Sequence, residues 1–507
     1  MKRSTIAKLI RLHILTPGGL FHLTQSFLAD GISLMALIRF SSTYYPDHCA
    51  LVNDGTRLTY KEAYEQAQCL AQMLYAEEGL RADMYVGILC RNHLLTVLLL
   101  PALSRLGVHI KLINTDIAPH QLKDLIGMKQ IRLLICDHEM KSTRLTAELP
   151  CRTMETEELC QRLTDRGGEN GLQRIPSIRR GGDISIYTGG SSGTFKEASR
   201  RMNIFQFLPP LFALLNDIHI DTYGSVLLSL PVYHGFGLAT LAVSLLMGKK
   251  VCLTRHFHAD EALHIISNEE VEVLPLVPAM LARLWQTDDA SGRLKTVRCI
   301  ICGGNRLDRK WIDKTRQQLG DILFNLYGTT EAGFFMMATP QDILAHEEEV
   351  TIGRPIRGVK CKVENTNQQG TGSLWVCSSW AMTSMKHKWQ NTGDMVWRHP
   401  DGCYFYRGRT DNMVVCGGEN AFPEHVEEII NSHPDVINSF VHPASDALFG
   451  TILDATIELR QGSTVTSSDL KAWLSQRLSR SEMPHHITIS PISLSATGKV
   501  ARTTGDG

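Results

Sequence analysis

A chain of 507 residues is longer than one hydrophobic core usually serves, so two or more domains are expected. Its 52 basic and 52 acidic residues cancel to a formal net charge of zero, which argues against a general nucleic-acid binder. Thirteen cysteines, an odd number without a repeating framework, read as the reduced thiols of an intracellular protein. The first long apolar stretch, residues 14–40, is the best candidate for a membrane span, but Pro17, Gly18, Gly19, His22, Asp30 and Gly31 interrupt it. Lys2, Arg3, Lys8 and Arg11 lead into it without the apolar core and cleavage site of a signal peptide. The expectation is a cytoplasmic protein whose N-terminal segment packs on its own domain, with peripheral contact to a membrane left open.

From Leu51 the pattern alternates between strand and helix. Thr59 and Glu62 form a T-x-x-E capping box, followed by one apolar face at Ala63, Ala67, Leu70 and Leu74. Residues 85–89 and 131–136 read as buried strands and 94–106 as a helix, which favours α/β layering. Residues 153–180 are polar and read as a surface excursion.

A short apolar strand, 183–187, then runs into Thr188, Gly189, Gly190, Ser191, Ser192, Gly193, Thr194, Phe195 and Lys196. Backbone N–H groups and small hydroxyls in such a turn can cradle phosphate oxygens. Lys196 lacks the neighbours of a P-loop lysine. Gly189, Ser191 and Gly193 also fit G-x-S-x-G, the nucleophile elbow of serine hydrolases. Taken alone, such a loop reads about as often as an ordinary surface turn.

Further strand-then-loop units follow. Residues 226–230 lead to Pro231, Tyr233 and His234, and His234 by itself reads equally as a satisfied core histidine. Residues 297–302 lead to Gly303, Gly304 and Asn305. Cys299 and Cys302 within that strand point to opposite faces, which speaks against a metal or redox pair. Residues 322–326 lead to Tyr327, Gly328, Thr329, Thr330 and Glu331, one carboxylate beside two hydroxyls. The run Glu347–Glu349 lacks metal-ligand spacing and reads as solvated.

The stretch 389–428 is the densest in chemistry. Asp394, on a tight turn after Gly393, can accept two hydrogen bonds from a vicinal diol such as a ribose. Arg409 offers a forked, permanent cation suited to phosphate or carboxylate, and Asp411 follows two residues on. Gly417, Gly418 and Glu419 precede a helix that opens on Pro423, with Phe422, Val426, Ile429 and Ile430 on one face. Residues 468–478 form another amphipathic helix, and Gly498-Lys499 closes the chain's motifs.

In this order the segments resemble the acyl-adenylate-forming (AMP-binding) superfamily of acyl-CoA synthetases, adenylation domains and luciferases. The likeness spans 58–499 and is greatest to fatty-acyl-CoA synthetases. Tyr187, Thr188, Gly190, Gly193 and Lys196 coincide with the family's YTSGTTGxPK loop, while Gly189 and Phe195 depart from its serine and proline. The resemblance implies a large N-terminal α/β domain with mixed sheets and flanking helices, residues 1–408, and a small mobile α+β domain, 409–507, turning about a hinge at Asp411. It implies catalytic roles for Thr188, His234, Glu331 and Lys499, with Mg²⁺ at Glu331. ATP or AMP would be held by residues 188–193 and Lys196, by Gly303, Gly304 and Asn305, by Tyr327, Gly328, Thr329 and Thr330, and by Asp394, Arg409 and Lys499. Coenzyme A would meet Gly417, Gly418 and Glu419. The implied reaction joins a carboxylic acid to AMP and then to coenzyme A. A medium- or long-chain fatty acid is the favoured substrate, since Gly417–Pro423 resembles fatty-acyl-CoA synthetases and residues 238–247 are apolar. Alternatives are an aryl-CoA ligase, loading of a carrier protein, a serine hydrolase using Ser191, and a degenerate acyl-binding protein without activity.

Overall fold

The computed structural model describes residues 3–144, 149–165, 174–189, 195–200, 204–367, 370–416, 419–446, 450–478 and 482–492. Two large sheets organise most of the chain. A nine-stranded sheet has Cys299–Gly303 and Val273–Leu276 near its centre, with Ser225–Leu228 and Leu323–Thr329 flanking them in parallel. A six-stranded sheet runs Arg152–Glu155, Leu133–Cys136, Tyr85–Leu89, His109–Leu112, Ile184–Gly189 and Phe195–Arg200, parallel except for the last strand. The helix Leu94–Arg105 is buried almost all round, as a helix apolar on every face must be. It shares a core with Tyr60–Ala76 and Leu34–Tyr44. The capping box of Thr59 and Glu62 starts Tyr60–Ala76, and Ala63, Ala67, Leu70 and Leu74 are all buried.

Residues 153–180 differ from the expectation. Their first part continues a strand, Arg152–Glu155, and forms a helix, Thr156–Asp165. The strand is an edge and buries only Met154, while the helix buries only Thr156 and Leu159, so neither carries a strong apolar period. Glu349 likewise departs from the solvated reading, because Arg407 pairs with it. Cys299 and Cys302 do face opposite sides, one in each of two separate cores. Burial pushes both thiols up to about 12, so they stay protonated. All thirteen cysteines are free thiols. No helix among the described residues is long and apolar enough to cross a membrane.

A four-stranded antiparallel sheet, Lys360–Glu364, Thr371–Cys377, Gln390–Arg398 and Tyr404–Arg409, precedes the last part of the chain. Beyond it, a hairpin (Val414–Cys416 with Glu419–Ala421), the helix Pro423–Asn431, a three-stranded sheet and the helix Ser467–Leu474 enclose a core of their own, including Val426, Ile430, Leu470, Leu474 and Leu478. Pro423 takes the first turn of its helix.

One buried carboxyl there gives a pH prediction. Burial pushes Glu427 up from 4.5 to about 8, although its Oε1 accepts the Val441 N–H at 2.8 Å. The folded state therefore holds a proton that the unfolded chain has lost between those two values. Stability falls as pH rises through that window, at under about 1.4 kcal/mol per pH unit. Glu427→Gln keeps the acceptor and removes the titration, so its thermal midpoint should gain on the parent as pH rises from 4.5 to about 8. A gap that does not change with pH would assign the carboxyl no such role.

Candidate active site

The loops after Ile184–Gly189, Ser225–Leu228, Cys299–Gly303 and Leu323–Thr329 leave the carboxyl ends of strands that run parallel to a neighbour, where an open α/β sheet presents its loops, whereas Asp394 and Arg409 lie on antiparallel strands. The strand Ile184–Gly189 runs antiparallel to Phe195–Arg200, with Gly189 opposite Phe195. The chain therefore passes from one strand to an antiparallel neighbour of the same sheet. A nucleophile elbow is a strand-to-helix turn, so this topology removes the reason to read Ser191 as a hydrolase nucleophile. Gly190, Ser191, Ser192 and Gly193 lie outside the described residues. Thr188, Gly189 and Lys196 are described through their backbone alone, with Thr188 paired to Lys196. Glu197, next to Lys196, is raised by burial but drawn down to about 2 by Lys111 and Lys129, whose ammonium groups lie 2.6 and 2.7 Å away.

Tyr327, Gly328 and Thr329 end the strand Leu323–Thr329, which turns back into Gly333–Ala338. The Thr329 hydroxyl accepts the Ala332 N–H at 3.0 Å and so shapes the turn that carries Thr330 and Glu331. From the other sheet, Arg200 reaches beneath this turn. Its guanidinium donates to the Thr330 carbonyl, and more distantly to the Glu331 and Trp380 carbonyls at 3.4 Å each. Burial lowers the Arg200 pKa to about 10, against the pull of Glu331, so it stays cationic at neutral pH. Arg200 joins the hairpin of the glycine-rich loop to the turn bearing Glu331. Nothing in the sequence flagged it, since a lone arginine on a strand has no motif.

Asp394 faces Arg409 across neighbouring strands. Its Oδ1 lies 3.2 Å from Arg409 Nη1 and its Oδ2 accepts the Tyr327 hydroxyl. Arg409 also donates to the Thr392 carbonyl at 3.0 Å, and it grips both oxygens of Asp411 at 3.0 and 3.1 Å. Burial raises the Asp394 carboxyl against the pull of Tyr327 and Arg409. Gly393 is needed here: its φ is +78°, and a Cβ would stand 2.8 Å from the Arg409 guanidinium. Tyr327, Asp394, Arg409 and Asp411, distant in sequence, form one cluster.

The loop bearing His234 is held from the six-stranded sheet. Buried Asn92 donates to the Leu228 and Leu230 carbonyls at 3.3 and 2.9 Å and accepts the Val232 N–H at 3.0 Å. The Tyr233 hydroxyl meets Thr115 at 3.0 Å. His234 caps the helix Gly235–Leu246, whose Leu241 and Leu245 enter the core around Leu34 and Ile38. Residues 238–247 are therefore in good part a core helix, and the acyl-chain argument drawn from their apolarity weakens. Gly303 ends its strand so close to the Leu326 carbonyl that a Cβ would sit 2.9 Å from it, with the Phe236 ring beside it. Gly304 and Asn305 follow, and Arg306 after them pairs with Glu428 and donates to the Glu424 carbonyl at 3.1 Å. Asn92 and Arg306 are further residues that spacing did not reveal.

Glu419 pairs with Cys416, and only its backbone is described. Gly417, Gly418 and Lys499 lie outside the described residues.

The AMP-binding enzyme family is matched by residues 39–384, and its C-terminal domain by residues 425–499. The chain belongs to the AMP-binding enzyme family. It is similar to the 2-succinylbenzoate–CoA ligase of Staphylococcus aureus (strain MSSA476), at 24% identity over 485 residues, covering 90% of this chain and 96% of that protein. Its fold matches the o-succinylbenzoate CoA synthetase MenE of Bacillus subtilis in complex with the acyl-adenylate OSB-AMP, with a TM-score of 0.77 at 22% identity over 93% of this chain and 98% of that one. The anthranilate CoA ligase AuaEII in complex with anthranoyl-AMP gives a TM-score of 0.80 at 18% identity, covering 92% and 95%. These likenesses bear out the adenylate-forming fold: a large α/β part with mixed sheets and a small C-terminal part. The ligases named act on aromatic acids, not fatty acids, so they lend the fatty-acid expectation no support.

Proposed function

We propose that this AMP-binding enzyme is an AMP-forming acid–thiol ligase that joins an aromatic or similarly compact carboxylic acid to coenzyme A. The observation that carries the reading is the convergence of Tyr327, Asp394 and Arg409 beside the Glu331 turn, on a family member similar to aryl-CoA ligases along nearly its whole length. In the first step the acid's carboxylate attacks the α-phosphorus of ATP and pyrophosphate leaves. In the second, the coenzyme A thiol attacks the acyl carbonyl and AMP leaves.

Asp394 offers the ribose hydroxyls its remaining lone pairs, and Arg409 holds that carboxylate in place. Backbone amides of residues 188–193, with Lys196, receive the phosphates. Glu331 suits Mg²⁺, which binds one or two carboxylates and takes further ligands from phosphate and water. Bound there, the ion supplies Lewis-acid neutralisation of phosphate charge. Lys499 meets the charge that develops at the acyl-phosphate.

The test is carboxylate-dependent ATP–pyrophosphate exchange across a panel of aryl, dicarboxylic and fatty acids, repeated with coenzyme A and thioester detection. Exchange and thioester formation with aryl acids are expected. Exchange restricted to long-chain fatty acids would overturn the substrate, and no exchange with any acid would overturn the ligase.

Asp411 is proposed as the hinge between residues 1–408 and 409–507. Lys499 serves the first step and the Gly417–Gly418 segment the second, so one fixed pose suits both poorly. Proline at 411 fixes φ and removes an N–H, but it also deletes the carboxylate that Arg409 grips. Asp411→Ala is therefore the control. Asp411→Pro should keep exchange near the alanine variant's rate and lose thioester formation. Equal losses in both variants and both steps would make Asp411 a ligand of Arg409 and move the hinge elsewhere.

A further inference from the structure

Residues 1–38 precede the family match, and no step of the ligase reaction uses them. They nevertheless hold five of the nine large apolar side chains that stand exposed among the described residues: Ile6, Ile10, Leu20, Phe21 and Leu28. In the helix Pro17–Asp30, Leu20, Phe21 and Leu28 fall within an arc of about 100°, at roughly 100° per residue. Thr24 lies inside that arc, and its hydroxyl turns back onto the Leu20 carbonyl at 2.7 Å. The arc thus presents apolar surface without a competing hydroxyl. Phe21 is 65% and Leu28 74% exposed.

The same helix is anchored behind this face. Ser26 and Asp30 are buried, and His22 stands edge-on against Tyr44. The preceding helix, Arg3–Arg11, sends Leu9 into the core and turns Ile6 and Ile10, one turn apart, outward. These apolar faces are fixed outward by what holds the helices from below.

Up to Asp30 these helices carry basic residues alone. No acidic residue precedes Asp30, whereas Lys2, Arg3, Lys8 and Arg11 are basic. Lys8 is buried, but Arg11 keeps 62% of its side chain exposed while touching Asp221 at 3.2 Å. At the far end of Pro17–Asp30, a cleft of about 590 Å³ opens beside Leu28 and is lined by Arg39, Arg105 and Arg174. The Asp30 carboxylate answers Arg39 and Arg105 at 2.8 and 2.9 Å, and Arg105 also donates to the Pro176 and Ile175 carbonyls, so one carboxylate faces three cations and Arg174 is the one it does not meet.

We propose that the N-terminal helices are a docking surface for an anionic lipid bilayer. Leu20, Phe21 and Leu28 enter the interfacial layer, and the arginine-lined cleft takes lipid phosphate. Isolated large apolar side chains on a helix face, flanked by more cations than carboxylates, suit a lipid surface, where each buried apolar group and each basic residue adds to binding. The inference is independent of which acid the enzyme activates.

The experiment is co-sedimentation of the full chain with vesicles of phosphatidylcholine, with and without phosphatidylglycerol, at low and high salt. Binding to the anionic vesicles is expected, weaker on neutral ones and weaker in salt. The double variant Phe21→Glu, Leu28→Glu should lose more than about tenfold in vesicle affinity while keeping its circular dichroism and its exchange activity. Arg174→Glu should lose affinity for anionic vesicles only. No binding to anionic vesicles, or binding that the double variant retains, overturns the proposal. So does a parent dimer that the double variant converts to monomer without any vesicle binding, which would make the face a contact between two copies.

Discussion

Replacing Arg200 with lysine should raise the Mg²⁺ concentration needed for ATP–pyrophosphate exchange by at least about tenfold, the fraction of a preorganised contact that a misplaced ligand loses. Arg200 touches no substrate in this reading; it is a positioning residue. Its fork spans the Thr330, Glu331 and Trp380 carbonyls, and in doing so fixes the height of the turn that carries the Glu331 carboxylate. Lysine keeps the charge but has a single point of donation, so it can satisfy one carbonyl and leave the turn loose. Arg200→Met removes every donor from the part-buried Thr330 and Trp380 carbonyls, while Glu331 keeps the Met382 N–H, and a carbonyl stranded in the interior costs about 1–3 kcal/mol. The methionine variant should therefore melt earlier as well as lose exchange. The lysine variant separates the two effects, because it should stay folded at the assay temperature. A lysine variant with an unchanged Mg²⁺ requirement would leave Arg200 only a structural role between the sheets.

Lys499→Ala should lower exchange by about 10²–10³ without a comparable loss of stability, since one preorganised cation at developing charge contributes roughly that much. The physical need is plain from the reaction: a carboxylate approaches a phosphate that already carries negative charge. The variant should still convert a presynthesised acyl-adenylate to thioester, because the approach of carboxylate to phosphate that Lys499 serves is already complete. Exchange at the parent rate would make Lys499 an ordinary surface lysine. Loss of both steps would give it a role beyond adenylate formation. Set beside Arg200, the pair distinguishes a cation acting on substrate from one acting on the protein's own backbone: only the second should lower the melting temperature.

Local patterns were legible where a short segment carries its own physical reason. The capping box of Thr59 and Glu62, Pro423 at the first turn of its helix, and the strand Tyr85–Leu89 are all where the sequence put them. The opposite facing of Cys299 and Cys302 followed from strand geometry alone. Patterns failed where burial was thin or where charge found a distant partner. The edge strand Arg152–Glu155 buries one side chain, and Glu349 is paired by Arg407 from a strand that only folding brings near.

From the amino-acid order alone came the family resemblance, the reduced thiols, the α/β layering and most of the residues proposed to meet the nucleotide, because glycines, hydroxyls and carboxylates in such loops suit phosphate and ribose. The tertiary structure alone decided how these loops are held. Ser191 lost its hydrolase reading because the strand after it pairs antiparallel with the strand before it, a long-range fact invisible to G-x-S-x-G. Leu241 and Leu245 turned from acyl-pocket candidates into core, since which face of an apolar helix is covered depends on its neighbours. Arg200, Asn92 and Arg306 emerged only from the fold, as each bonds to backbone carbonyls far away in sequence. A side chain that recognises a substrate leaves a motif, whereas one that recognises the protein's own backbone can stand at any position that folding happens to bring within reach.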